Sequence, residues 1–235
     1  MIQDPRQEFR SILKDTRHLL ESLQAGGITK VPAPEGFSRK GLSKNKNKET
    51  ILEPIRRKAL VCQACRLCKT RTQVVFGEGS LDARLAFVGE GPGREEDLQG
   101  RPFVGAAGTL LTRIIQAMKL QRESVYIANV VKCRPPQNRP PEPDEIEACH
   151  DYLEAQLLTI RPKVICALGR TAATALLETN APMSTLRGRT FKWKEIPLIV
   201  TFHPAYLLRN PPAKKLVWQD MQLVLAILAG RPSQE

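Results

Sequence analysis

From residue 84 onward, short continuous apolar runs alternate with stretches in which apolar residues return every three or four positions. These are the signatures of buried strands and amphipathic helices. RLAFVG (84–89), VYIANVV (125–131) and VICALG (164–169) predict three core strands, and TFKWKEIPLIVTFHP (190–204) reads as a strand, a turn and a fourth core strand. Between them, Leu110, Leu111, Ile114, Ile115 and Met118 fall on one helical face. Ile146, Cys149, Leu153, Leu157 and Ile160 fall on another, in a helix that begins near Pro143 or Asp144, since proline suits the first helical turn. TAATALLE (171–178) is a short helix, and Leu216, Val217, Met221, Val224 and Leu228 mark the last one. The alternating order predicts an α/β fold, a three-layer α/β/α sandwich around a central, mostly parallel four-stranded sheet. Ligands in such folds sit beyond the carboxyl ends of the strands.

The first fifty residues follow another pattern. Phe9, Ile12, Leu13, Thr16, Leu19, Leu20 and Leu23 keep helical spacing until Gly26 and Gly27, which predicts an amphipathic helix within 1–28. Residues 29–50 are rich in Pro, Gly, Ser, Lys and Asn and read as a flexible basic linker, leaving one folded domain over 51–235. With 42% hydrophobic and 26% charged residues in 235, the chain holds enough material for that domain and a tail. No apolar run spans a bilayer and MIQDPRQEFRSILKD lacks an apolar signal core, so a cytoplasmic protein is expected. Lys and Arg total 36 against 24 Asp and Glu, and 36 − 24 = +12 points to a polyanionic partner, most simply nucleic acid. Six cysteines in such a chain call for metal ligation or burial before disulfides.

Three segments stand at the predicted strand ends: GEGPGREEDLQGRPFVGAAG after the first, Asn129 at the second, and FHPAYLLRN with His203 after the last. GEGPG departs from the dinucleotide fingerprint because Arg94 occupies its sixth position. Asn129 alone reads as a strand-end amide and His203 alone as a structural histidine; together on one rim they read as a site. Cys62-x2-Cys65 with the distant Cys133 and Cys149 supplies four thiolates for either a four-iron cluster or a structural zinc. Cys65-x2-Cys68 is an equally good pair by spacing, and Cys166 reads as a core thiol.

VVFGEGS, FVGEGPG, GRPFVGAAG, YIANVVKCRPPQNR and TFHPAYLLRNP occur in this order, and the chain from about residue 60 to its end resembles the family 4 uracil-DNA glycosylases, base-excision repair enzymes with a [4Fe-4S] cluster. The resemblance implies a monofunctional hydrolase that flips uracil from DNA, breaks its N-glycosidic bond and leaves an abasic site. It matches Phe103 to a ring that stacks the base and Asn129 to an amide that reads uracil O4 and N3–H, where cytosine has the opposite polarity. Glu96 matches an acidic residue where thymine's methyl would lie, and His203 a donor to uracil O2 that stabilises the departing base. Gly91 stands where better-known uracil glycosylases carry an aspartate, leaving Glu90 as the candidate for positioning the water or the base. Leu207 and Leu208 match a wedge pushed into the duplex, with Arg209, Lys214 and Lys215 as phosphate contacts; Arg94 departs from the acidic residue usual in its motif. The ligand set implied is Cys62, Cys65, Cys133 and Cys149, with the cluster folding loops rather than moving electrons. RPPQNRPPEP contains no histidine, unlike the insertion of a related branch that forms a covalent adduct, which argues for turnover.

Two other readings remain at this stage: a relative acting on other deaminated bases, and a non-catalytic iron-sulfur module that binds damaged DNA. The expected partner is uracil-containing DNA, with a monomeric enzyme. The N-terminal helix either docks a repair or replication protein or packs on its own domain.

Overall fold

A computed structural model describes residues 44–231, so the predicted helix within 1–28 and the linker up to residue 43 lie outside the described residues. The first element, α1 (Lys44–Leu60), begins inside the stretch expected to be linker. Its lysines and asparagines give little helical signal, and tertiary contacts hold it instead. Lys48 Nζ donates to the carbonyls of Leu81 (2.9 Å) and Ile160 (3.1 Å) and to the Asp82 carboxylate at 3.0 Å.

There follow β1 (Glu78–Gly79), β2 (Leu85–Gly89), α2 (Arg94–Gln99), α3 (Ala106–Ala117), β3 (Tyr126–Asn129), α4 (Pro143–Ile160), β4 (Val164–Leu168), α5 (Arg170–Leu177) and α6 (Met183–Leu186). The chain closes with β5 (Thr190–Trp193), β6 (Ile196–Thr201), α7 (Pro204–Arg209) and α8 (Lys214–Leu228). The sheet has six strands in the order β1-β3-β2-β4-β6-β5. Its four central strands are parallel, as expected, and an antiparallel strand borders each edge. β1, two residues long, carries no pattern from which to predict it.

Every residue of β2 and β4 is buried, which is why both read as unbroken apolar runs. Alternate side chains nevertheless serve different layers. Ala86, Val88, Ile165 and Ala167 face the core beneath α1, α4 and α5. Leu85, Phe87, Val164 and Cys166 face Leu111, Ile115, Val217 and Met221 of α3 and α8. Cys166 is the core thiol expected. Among the described residues no helix is long and apolar enough to cross a membrane.

The register brings four strand ends level: Gly89 pairs with Asn129, and Leu168 with Thr201. From β2 the chain moves first to one side, to β3, and then crosses to the other, to β4 and β6. The crevice at this reversal is where an open α/β sheet binds ligands.

Candidate active site

At the reversal lies a cavity of about 430 Å³, lined by Glu90, Gly91, Glu96, Phe103, Asn129, His203 and Arg209 among others. Seven of the residues singled out in the sequence therefore meet at one crevice. Asn129, at the end of β3, is 1% exposed, and neither its Oδ1 nor its Nδ2 finds a partner among the described residues. Buried amides are almost always paired, so this one is presented to a ligand.

Gly89 makes the arrangement possible. A Cβ there would lie 2.5 Å from both Asn129 Oδ1 and the Phe103 ring, so only glycine leaves room for the amide and the ring. Sequence reasoning missed this role; its signal was a glycine ending an otherwise apolar strand. Gly91 is similar, since a Cβ would stand 2.7 Å from Val131 Cγ2.

Phe103 adopts φ 53°, a left-handed conformation that costs a bulky residue energy unless its surroundings fix it. Two features do. The α3 helix presents Gly108, whose Cβ would sit 1.9 Å from the Phe103 carbonyl oxygen. Glu96 Oε1 accepts from the backbone N–H groups of Val104 and Gly105, both at 2.8 Å, while its Oε2 accepts from Gly93 at 3.1 Å. The Glu96 carboxylate thus ties the two glycine-rich loops together. It also lines the crevice, where the resemblance puts an acidic residue on the side of thymine's methyl.

His203 caps α7, its Nδ1 accepting the Ala205 N–H at 3.2 Å. A neutral ring accepting at Nδ1 carries its proton on Nε2. Loss of solvent around the imidazole lowers its pKa to about 4, with Glu96 pulling it up and Arg209 pushing it down by smaller amounts. At neutral pH His203 is therefore an uncharged Nε2–H donor. Glu90 accepts a short hydrogen bond from the Thr171 hydroxyl.

Behind the loop that carries His203, Asp220 Oδ2 accepts from Thr201 Oγ1 at 2.6 Å and from Arg187 Nε and Nη2 at 2.9 and 2.8 Å. The Arg187 guanidinium lies 4.4 Å over the Phe202 ring. The two residues preceding His203 are thereby fixed from below.

The predicted wedge divides. Leu208 is 48% exposed beside the crevice, whereas Leu207 is 1% exposed and packs against the α3 and α8 core. Leu207 is corrected to a core residue, because its face of α7 is the one turned toward Leu111, Ile115, Val217 and Met221. Arg209 is exposed on the rim, and Arg139 and Arg170 join it there.

A second, smaller hollow is lined by Cys62, Cys65, Cys68, Cys133 and Cys149. Burial pushes the Cys133 thiol up to about 11 and raises those of Cys65 and Cys149. Donors oppose this at two of them, Arg71 Nη1 pointing at Cys133 Sγ (3.3 Å) and the Lys132 backbone N–H at the Cys149 sulfur. The Ala64 N–H points at Cys62 Sγ (3.5 Å). Sulfurs crowded together and met by N–H groups fit thiolate ligands of a metal centre. Among the described residues no three cysteine, histidine or acidic side chains close on one point as a single ion requires. Glu145, 0% exposed, receives Arg66 from the cysteine loop and Arg139 from the crevice loop, and the Arg139 guanidinium holds its carboxyl down at about 2.

Residues 76–222 match the model of the Uracil DNA glycosylase superfamily. The chain is 47% identical over 182 residues to a type-4 uracil-DNA glycosylase of Thermotoga maritima, covering 74% of this chain and 93% of that protein. It is 43% identical over 195 residues to one of Saccharolobus solfataricus, covering 79% and 88%. Over 181 residues it is 44% identical to one of Archaeoglobus fulgidus, covering 74% and 91%. With the family model matched over more than half of the chain and these relatives covered over most of their length, the chain belongs to the uracil-DNA glycosylase superfamily, in its type-4 branch.

Proposed function

We propose that the chain is a monofunctional uracil-DNA glycosylase of base-excision repair, acting on uracil-containing DNA as a cytoplasmic monomer. The observation that carries this is the buried, unpartnered Asn129 amide beside Phe103 and His203. A flipped uracil stacks on Phe103 and gives its N3–H to Asn129 Oδ1 while O4 accepts from Nδ2. Cytosine offers an acceptor at N3 and a donor at its exocyclic amine, leaving buried groups unpaired.

His203 Nε2–H then donates to uracil O2. As the C1′–N1 bond breaks, its electron pair stays on the base, and the charge that spreads to O2 meets a donor already in place. A water oxygen bonds to C1′, and the proton it gives up neutralises the uracil anion, leaving an abasic sugar and uracil. Glu90, held through Thr171, orients that water. Leu208 fills the space the base left, and Arg139, Arg170 and Arg209 contact phosphates.

Cys62, Cys65, Cys133 and Cys149 would hold the [4Fe-4S] cluster, which supplies structural cross-linking of the loops when bound. Cys68 lines the same hollow and stands outside this set, which follows the distance of Cys62 and Cys65 from RTQVVFGEG that the family resemblance implies.

The test is uracil release from single- and double-stranded oligonucleotides in EDTA, with wild type beside Asn129→Ala and His203→Ala. Release that collapses in both variants supports the reading. DNA binding without release by the wild type overturns it in favour of a damage-binding module.

A further inference from the structure

We propose that Lys132 is the positioning residue for Asn129 and joins the base-reading amide to the cysteine hollow; this rests on the crevice being a uracil site. Lys132 is 2% exposed, beneath the floor of the crevice. Its Nζ donates to the backbone carbonyl of Asn129 at 2.8 Å and to Gln156 Oε1 at 2.6 Å. Gln156, 0% exposed, in turn donates through Nε2 to the Phe76 carbonyl at 2.6 Å and to the Tyr126 hydroxyl at 3.0 Å. The Lys132 carbonyl accepts from the Val75 N–H at 2.8 Å, and its own N–H faces the Cys149 sulfur.

A buried amino group is costly, and an apolar side chain of the same length would fill the space at lower cost. What the amino group adds is a fixed direction. The Asn129 side chain has no partner of its own, so its amide is aimed by its backbone and by the walls around it. Lys132 clamps that backbone at the last residue of β3, where the ladder with β2 ends. One residue thus touches the cysteine hollow through its main chain and the base reader through its side chain.

The experiment measures single-turnover uracil release from a U·G duplex by Lys132→Met, alone and combined with Asn129→Ala or with His203→Ala. Iron content and melting temperature are recorded for each. Because misplacing a recognition group by about 1 Å costs roughly 10²-fold, Lys132→Met should lose about that much alone and in the His203→Ala background. In the Asn129→Ala background it should lose less than about threefold, as two residues acting through one interaction are not additive. Affinity for a duplex carrying 2′-fluoro-2′-deoxyuridine, relative to the same duplex with thymidine, should fall in Lys132→Met as well. Gln156→Met, which removes the second acceptor of Lys132 Nζ, should repeat the pattern more weakly and decides the matter if Lys132→Met does not fold. An undiminished loss in the Asn129→Ala background, or a wild-type rate in folded variants, overturns the proposal. Failure of the wild type to release uracil overturns the reading of the crevice and this proposal with it.

Discussion

The rings of Phe103 and His203 face one another with centroids 5.5 Å apart and planes tilted by 33°. A base sandwiched between two rings needs about twice the ~3.5 Å contact distance, so the gap is too narrow for stacking on both. In the proposed complex Phe103 takes the face of the base and His203 its edge. Stacking supplies affinity, while an edge-on donor acts on charge that grows only as the bond breaks.

His203→Ala should therefore lower kcat by roughly 10² to 10³ with little change in KM. A KM rise with kcat preserved would assign His203 to ground-state binding instead. Single-turnover rates against enzyme concentration separate the two.

The same histidine makes a prediction about acid. Its folded pKa of about 4 lies below the unfolded value, about 6.5, so the unfolded chain takes up the proton first. The stability this imidazole contributes is complete above pH 6.5 and is lost as the pH falls from 6.5 toward 4. Denaturant melts across this range should show a shallower acid decline in His203→Ala, and NMR should show the wild-type ring untitrated near pH 6.5.

Gly89→Ala places a methyl against the Asn129 amide and the Phe103 ring together. Overpacking of this kind costs about 1–3 kcal/mol, which the fold should survive. Uracil release should fall by about 10²-fold. A variant that melts lower yet keeps its full rate would show that neither group was displaced.

Glu96→Gln separates two roles for that carboxylate. As the clamp on Gly93, Val104 and Gly105, it should lose about 1–3 kcal/mol of stability with its charged hydrogen bonds, and uracil release should weaken. Were it instead the group that excludes thymine's methyl, the variant would release thymine at unchanged stability. Thermal melts and a thymine-release assay on the same preparation distinguish these.

For the cysteines, Cys133→Ser should lose iron, visible absorbance and thermal stability. Cys68→Ser should keep all three. Iron retained by the first would remove Cys133 from the ligand set, and iron lost by the second would move the close pair from Cys62 and Cys65 to one that includes Cys68.

The four core strands were legible because burial on both faces leaves strands such as β2 and β4 nothing but apolar residues. α1 was not, because Lys44 to Thr50 carry the composition of a linker and become helical through contacts such as that of Lys48 with Ile160, far away in the chain. In the site, Phe103, Asn129 and His203 were found through motif resemblance and placement at strand ends. Leu207 and Leu208 share a motif, and composition cannot say which faces the core. Gly89 and Lys132 act by excluding atoms or by reaching backward, and neither leaves a periodic mark.

The reversal of the chain at β2 divides labour between the two arms of the sheet. Glu90, Phe103 and Asn129 come from the arm that runs to β3; His203, Leu208 and Arg209 come from the arm that ends with β6. On the proposed roles, the groups that read the base and the donor that eases its departure are thus written in separate stretches of chain. Substitutions that widen the substrate range should gather before residue 130, whereas turnover should answer to both stretches, to the water at Glu90 and to the donor at His203.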